Sequence, residues 1–343
     1  MATLKPLIDQ LMKRQDLTRA QAETAMRTII EGVDPCQIAA LLVLLQAKGE
    51  TPSEVAGMVS VMREHMVHVD PGGTCIDIVG TGGDGHHTVN FSTAASVVAA
   101  ACGARVAKHG NRSVSSQCGS ADVLEALGVV IVQQPSGIER CLGDAGIAFM
   151  FAPNFHPAMK NVVPVRKALG VRTVFNILGP LLNPAAAGRA LIGVYCEEMV
   201  SLMAHALYEL GAEMTLVVHC GGLDELAPIA VATVATVTPA GVSMGTINPF
   251  LLGFNKCTLA DLKGGSAAEN AAILKQVFAG ELEGAITDTI VLNAGAGLFV
   301  AGVAESVAQG CELAKACIKA GKPLATLDKW AAASQAAASQ PPS

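Results

Sequence analysis

Aromatic residues are scarce in this chain, 3% of 343 residues with a single tryptophan and two tyrosines, so its interior is built mainly from small aliphatic side chains. With 51% hydrophobic residues there is ample material for one large domain or two. Charge is also thin, at 15% charged residues and a formal net charge of −6. That balance is a poor match to the broad basic face of a protein that wraps nucleic acid, and any positive potential must be local. No Cys-x-x-Cys pair occurs. The ten cysteines (Cys36, Cys75, Cys102, Cys118, Cys141, Cys196, Cys220, Cys257, Cys311 and Cys317) are scattered, as thiols of a reducing cytosol are, and give no disulfide framework. No apolar stretch reaches the ~18 residues of a membrane span without interruption. Residues 1–6 open an amphipathic helix rather than a signal peptide, so the expectation is a cytoplasmic protein without a membrane partner.

Glycine, in contrast, is abundant and placed with a purpose. Two glycine-rich turns each lie between a buried strand pattern and a helix start: Gly80-Thr81-Gly82-Gly83-Asp84-Gly85, and Lys108-His109-Gly110-Asn111-Arg112-Ser113. A glycine run lets backbone N–H groups close on an oxyanion without Cβ clash, and the following helix adds its unsatisfied donors and positive dipole end. Two such turns in tandem point to a doubly phosphorylated ligand. The first follows the β-branched run 75–79 and precedes 90–97, where Ser92 or Thr93 is placed to cap a helix. The second follows 104–107 and leads through Ser115, Ser116, Gly119 and Ser120 into a helical 121–127.

Gly80-x-Gly82-x-x-Gly85 matches the dinucleotide fingerprint, but that fingerprint also needs an acidic residue at the end of the second strand. Here that strand ends in Lys108-His109, which suits a phosphate rather than a ribose diol. No Gly-Lys-Ser/Thr follows the glycines, so this is not a P-loop. A third cluster, Gly222-Leu223-Asp224-Glu225, follows the apolar 216–219. Alone, two adjacent carboxylates at a strand end are usually surface residues. Beside a polyphosphate they become the natural protein share of a Mg²⁺ site, because Mg²⁺ takes one or two carboxylates plus phosphate oxygens and waters. A fourth stretch, 155–176, carries Arg166, whose guanidinium can grip a planar carboxylate through two parallel hydrogen bonds. Otherwise it reads as a helix with an exposed basic face.

The first seventy residues are helical by their punctuation, with Thr18-x-x-Gln21 and Thr51-Pro52-x-Glu54 as capping boxes and Asp34-Pro35 starting a further helix. Strand and helix patterns then alternate: 189–196, 214–219 and 287–293 extended, 199–211 and 304–320 helical, with a β-rich 231–247. The expected fold class is α/β, with a small N-terminal helical domain (1–70, joined by helices from about 165–188). A larger α/β domain (71–330) follows, with a mostly parallel central sheet. Residues 331–343, rich in alanine, serine and proline, read as a frayed tail.

In order and spacing, these motifs resemble the anthranilate phosphoribosyltransferase family over roughly residues 1–330. They are Gly80 to Asp84, Asn90-Phe91-Ser92-Thr93, Lys108 to Arg112, Gly119-Ser120-Ala121-Asp122, Arg166 and Leu223-Asp224-Glu225. The resemblance implies a homodimer with the fold shared by pyrimidine nucleoside phosphorylases. It also implies transfer of a phosphoribosyl group from 5-phosphoribosyl 1-pyrophosphate to anthranilate in tryptophan biosynthesis. By the same resemblance, Gly80, Gly83, Asp84, Thr88, Asn90, Phe91, Ser92 and Thr93 hold the donor. So do Lys108, His109, Gly110, Asn111, Arg112, Ser113, Val114, Ser115, Ser116 and Ser120. Gly80, Asn111 and Arg166 meet anthranilate with His109 nearby, and Ser92, Asp224 and Glu225 bind Mg²⁺. No residue is assigned as acid or base; Lys108 and Mg²⁺ stabilise the departing charge. Phe91, Asn161 and Gly221 depart from the family pattern. A pyrimidine nucleoside phosphorylase is the alternative enzyme, but those usually carry a Lys-x-Ser-Gly-Arg type sequence in the second loop. A catalytically silent, nucleic-acid-binding paralogue should have lost the Asp-Glu pair.

Overall fold

The computed structural model describes residues 3–113 and 117–339. Four helices come first: α1 (Lys5–Met12), α2 (Arg19–Glu31), α3 (Pro35–Lys48) and α4 (Pro52–Glu64). Both expected capping boxes form, Thr18 with Gln21 and Thr51 with Glu54, and the Asp34 side chain accepts from Cys36 N at 2.7 Å. Glu54 does more than cap. Fully buried, it also accepts from Leu17 N at 2.8 Å and pairs with Lys48 at 3.0 Å, tying three turns of the bundle together.

The α/β part then runs β1 (Ile76–Gly80), α5 (Phe91–Ala101), β2 (Val106–Gly110), α6 (Ser120–Ala126), α7 (Pro135–Ala145) and β3 (Ile147–Phe151). Three short helices, α8 (Ala152–Phe155), α9 (Val163–Leu169) and α10 (Phe175–Leu178), lead to β4 (Arg189–Gly193), α11 (Glu198–Glu209) and β5 (Met214–His219). Next come β6 (Ala232–Thr238), β7 (Gly241–Ile247), α12 (Ala267–Phe278), α13 (Ala285–Ala301), α14 (Val307–Lys319) and α15 (Lys322–Ala338). The seven strands form one sheet in the order β3-β2-β1-β4-β5-β6-β7, parallel from β3 through β5 and antiparallel at β6 and β7. The 231–247 stretch supplies the antiparallel pieces expected of it.

Successive side chains of a strand face opposite ways, and this sheet is buried on both faces. Ile76, Ile78, Leu191, Leu216 and Val218 enter one core with α5, α13 and α14. Ala190, Ile192 and Val217 enter a second core with α1–α4, α11 and residues from 158–182. The strand order reverses direction between β1 and β4, and in open α/β sheets the crevice beyond the strand ends at such a switch point collects ligands.

Three sequence readings are corrected. Residues 287–293, expected as a strand, lie inside α13, whose residues 289–298 are all buried. An apolar β-branched run cannot be distinguished from a buried helix by periodicity alone. Tight helix packing decides the matter: a Cβ on Gly310 of α14 would fall 2.2 Å from the Gly295 carbonyl oxygen of α13. The frayed tail is likewise overturned for residues 331–338, which continue α15. Trp330, Ala333 and Ser334 are buried there, and Ser334 Oγ accepts from Val130 N at 2.9 Å. Finally, α5 starts at Phe91, so Ser92 and Thr93 lie inside its first turn and do not cap it. No helix among the described residues is long and apolar enough to cross a membrane.

Candidate active site

At the switch point the two central strands end in Gly80 and Gly193, and the turn after β5 folds across both. These glycines serve close approach: a Cβ on Gly193 would fall 1.5 Å from the Asp224 carbonyl oxygen, and one on Gly80 would fall 2.3 Å from Asp224 Oδ2. The next glycines serve the chain path instead. Gly82, Gly83 and Gly85 sit at φ +68°, +80° and +78°, a left-handed run that side chains resist. Asp224 Oδ2 accepts from Gly82 N at 2.6 Å and Glu225 Oε1 accepts from Ser92 N at 3.2 Å. The acidic doublet thus clasps the first glycine loop and the start of α5.

This corner carries more negative charge than the fold neutralises. Burial first and Asp84 second push the Asp224 carboxyl up to about 7. Glu225 is held well above its ordinary range by burial and by Asp224. Lys108 is only 1% exposed. Its Nζ donates to the Ile78 carbonyl at 2.5 Å and approaches Ser92 Oγ at 3.4 Å, so it sits beneath the first turn of α5 rather than open to a ligand. Burial lowers its pKa, against the pull of Asp77, Glu225 and Asp224. Among the described residues no three His, Cys, Asp or Glu side chains gather around a single metal position. The donor set fits a hard cation that takes two carboxylates and completes its shell with phosphate oxygens and water, as Mg²⁺ does.

The second loop is organised by Asp122, whose Oδ2 accepts from Ser113 N at 3.1 Å and Gly119 N at 2.8 Å. Arg112, expected at the donor, is engaged by carboxylates of the following helix. It pairs with Asp122 at 3.0 Å and Glu125 at 2.6 Å, because α6 supplies two carboxylates on the face it meets. Asn111 is exposed and its Oδ1 accepts from Arg112 N at 2.7 Å. Gly110 ends β2 beside Ser120, the first residue of α6. Val114, Ser115 and Ser116 lie outside the described residues. Phe91 is fully buried, and the Thr93 hydroxyl is buried without a hydrogen-bond partner among the described residues. Thr88 bridges to Lys263, and the Asn90 side chain reaches Cys118 O at 3.2 Å and Asn270 at 2.9 Å.

His109 turns inward. Its backbone N donates to Asp77 Oδ1 at 3.2 Å, its Nδ1 meets Gly179 O at 3.2 Å, and its Nε2 lies 3.1 Å from His156 Nε2. Burial pushes the two imidazoles down to about 3 and about 4, so the pair is neutral. Asp77, driven up to about 6 by burial, is held by Asn183 Nδ2 at 2.7 Å. Arg166, on α9, is half-buried with its guanidinium carbon 5.7 Å from the centre of the Phe175 ring. No carboxylate pairs with it among the described residues, and burial lowers its pKa. A cavity of about 210 Å³ lined by Arg63, Asn183, Glu213 and Thr215 lies between α11 and the sheet and includes none of the acidic doublet.

Gly193, His156 and Asn183 were not given roles from sequence. Gly193, at the end of a short apolar run, carries the one usable signal.

This architecture matches two family models end to end. Residues 5–66 match the glycosyl transferase family helical bundle domain and residues 72–324 the a/b domain of the same family. Fold and site therefore define a glycosyltransferase. The chain is 43% identical over 333 residues to anthranilate phosphoribosyltransferase of Chlamydia felis, covering 97% of each chain. Crystallographic anthranilate phosphoribosyltransferase from Thermus thermophilus superposes with a TM-score of 0.89 at 42% identity, over 96% of this chain and 99% of that one. The Saccharomyces cerevisiae enzyme in complex with PRPP and Mg gives 0.87 at 28% identity, over 97% and 98% of the two chains. The chain belongs to the anthranilate phosphoribosyltransferase family.

Proposed function

We propose that this chain transfers the 5-phosphoribosyl group of 5-phosphoribosyl 1-pyrophosphate to the amine of anthranilate, giving N-(5-phosphoribosyl)anthranilate and pyrophosphate. The observation that carries the reading is the acidic doublet, Asp224 and Glu225, hydrogen-bonded to the amides of Gly82 and Ser92 at the switch point. Without a cation those carboxylates would repel a pyrophosphate; with one they anchor it. Asp224, Glu225 and the Ser92 hydroxyl are the residues that would hold Mg²⁺, which when bound neutralises charge on the leaving pyrophosphate.

The amine of anthranilate is an aniline, neutral near pH 7, so no base is needed to prepare it. Breaking the bond between the anomeric carbon and pyrophosphate leaves positive charge on the sugar and negative charge on the leaving group. Amide donors of the first glycine loop and the α5 N-terminus face the second charge, while the buried Lys108 acts through its field. Arg166 offers the carboxylate of anthranilate a guanidinium that no carboxylate among the described residues engages, and that grip aims the nitrogen at the anomeric carbon. The new C–N bond forms as the C–O bond breaks, and the amine releases one proton. Direct attack inverts the anomeric centre. Closure of the helical part over the α/β part keeps water from the sugar cation. The working form is a homodimer in the cytoplasm.

Mixing the protein with anthranilate, 5-phosphoribosyl 1-pyrophosphate and Mg²⁺ should consume anthranilate fluorescence, and omitting the donor should abolish the loss. Unchanged fluorescence in the complete mixture would remove the reading.

A further inference from the structure

We propose that Arg172 is a positioning residue that couples the two substrate subsites, by fastening the first glycine loop to the segment that carries Arg166. The inference rests on the proposed reaction. Arg172 lies in the link between α9 and α10, two residues after Gly170, whose left-handed conformation at φ +63° ends α9. Its Nη2 donates to the Gly83 carbonyl, and its guanidinium carbon lies 4.3 Å from the centre of the Tyr195 ring, in the connection after β4. Three segments distant in sequence meet on one side chain: the loop after β1, the connection after β4 and the α9–α10 link.

A surface arginine often satisfies a stray carbonyl, but two features set this contact apart. First, no carboxylate pairs with Arg172 among the described residues, whereas Arg112 of the second glycine loop takes two acidic partners. Its charge stays uncompensated beside the loop that would receive pyrophosphate. Second, the loop is held from two sides. Asp224 fixes the N–H of Gly82 and Arg172 fixes the carbonyl of Gly83. In a trans peptide the C=O and the following N–H point in opposite directions, so anchoring the Gly83 carbonyl turns the Asp84 N–H away from Arg172. The backbone donors of the loop are thereby set before a ligand arrives. Gly83 has the room this needs: at φ +80° it is glycine by conformation, and a Cβ there would lie 3.5 Å from Arg172 Nη2.

The coupling follows from connectivity. Arg166 and Arg172 stand on either side of Gly170, so a shift of the glycine loop is passed to the anthranilate grip through a few residues of backbone. Guanidinium geometry matters, because the same group must donate to a carbonyl and lie over a ring.

The test compares Arg172→Ala, Arg172→Lys and Tyr195→Ala with the wild type in steady-state kinetics, thermal melts and hydrogen exchange of the 81–88 loop. Arg172→Ala should raise the donor KM about tenfold and, at saturating donor, the anthranilate KM about threefold, with Tm nearly unchanged. Exchange in the 81–88 loop should speed up. Arg172→Lys should recover most of the donor KM, since an ammonium can reach the carbonyl, but not the protected exchange that needs the stacked ring. Tyr195→Ala should resemble Arg172→Lys. Both KM values within twofold of wild type, or unchanged loop exchange, would overturn the coupling while leaving the reaction intact. A wild type without turnover would overturn the reaction itself, and the coupling with it. If Arg172→Ala melts well below the wild type, Arg172→Lys decides between fastening and general stability.

Discussion

The acidic corner and the Arg166 wall are both short of a counter-charge, but they are built differently. Asp224 is wedged against the ends of two central strands, with its carbonyl where a Cβ of Gly193 would be and its carboxylate on a loop amide. Arg166 stands on α9, a seven-residue helix beyond the sheet, with a ring beneath it and no carboxylate paired with it among the described residues. The corner is framework, and its geometry cannot yield without moving strands. The guanidinium is furniture on a connecting segment. Burying unpaired carboxylates costs stability, and retaining them in the framework makes sense where a cation and a polyphosphate complete the charge.

That contrast can be broken in graded steps. Asp224→Asn with Glu225→Gln should reduce Mg²⁺-dependent turnover on the order of 10³-fold, while the metal-free protein melts no lower than wild type because two strained charges are gone. A double variant that kept its metal dependence would remove the corner from the mechanism. Gly193→Ala should come next. A methyl group placed 1.5 Å from the Asp224 carbonyl forces the turn off the strand ends. A loss of about 3 kcal/mol in denaturant unfolding is expected. Arg166→Ala should fold normally and raise the anthranilate KM about 10- to 100-fold, with the donor KM changing less than about threefold. Equal effects on both substrates would show that α9 is framework too.

The smallest effect concerns the neutral histidine pair. His156 sits at about 4 in the fold, below the ordinary 6.5, so between those values the unfolded chain binds a proton that the folded chain refuses. Stability is therefore lost as pH falls from about 6.5 towards 4. Asp77, raised to about 6, works in the opposite sense between about 6 and 3.8. His156→Gln removes one of the two depressed imidazoles, with His109 remaining, and should reduce the acid loss by about 2 kcal/mol near pH 4.5. Superimposable Tm profiles from pH 4.5 to 7.5 would contradict the buried, neutral assignment.

Much of this was legible because glycine, capping residues and acidic pairs act locally. The loop 80–85, the boxes at Thr18 and Thr51 and the doublet 224–225 owe their meaning to neighbours within a few positions. What escaped depends on partners far along the chain. Gly193 is glycine because of Asp224, Arg112 is paired with carboxylates of α6, and the role proposed for Arg172 comes from Gly83 and Tyr195. The misread 287–293 segment fails for the same reason: α13 is apolar on every side because α5, α14 and the sheet surround it, and nothing inside the segment reveals that company.

One consequence follows from the placement of α15. Its indole, Trp330, belongs to the same interior as β1 and β2, whereas the opposite interior draws on nothing beyond β7. During synthesis the bundle side can consolidate before α15 emerges to complete its counterpart. Burial of the single indole, at 1% exposure, therefore reports the docking of α15 on that interior.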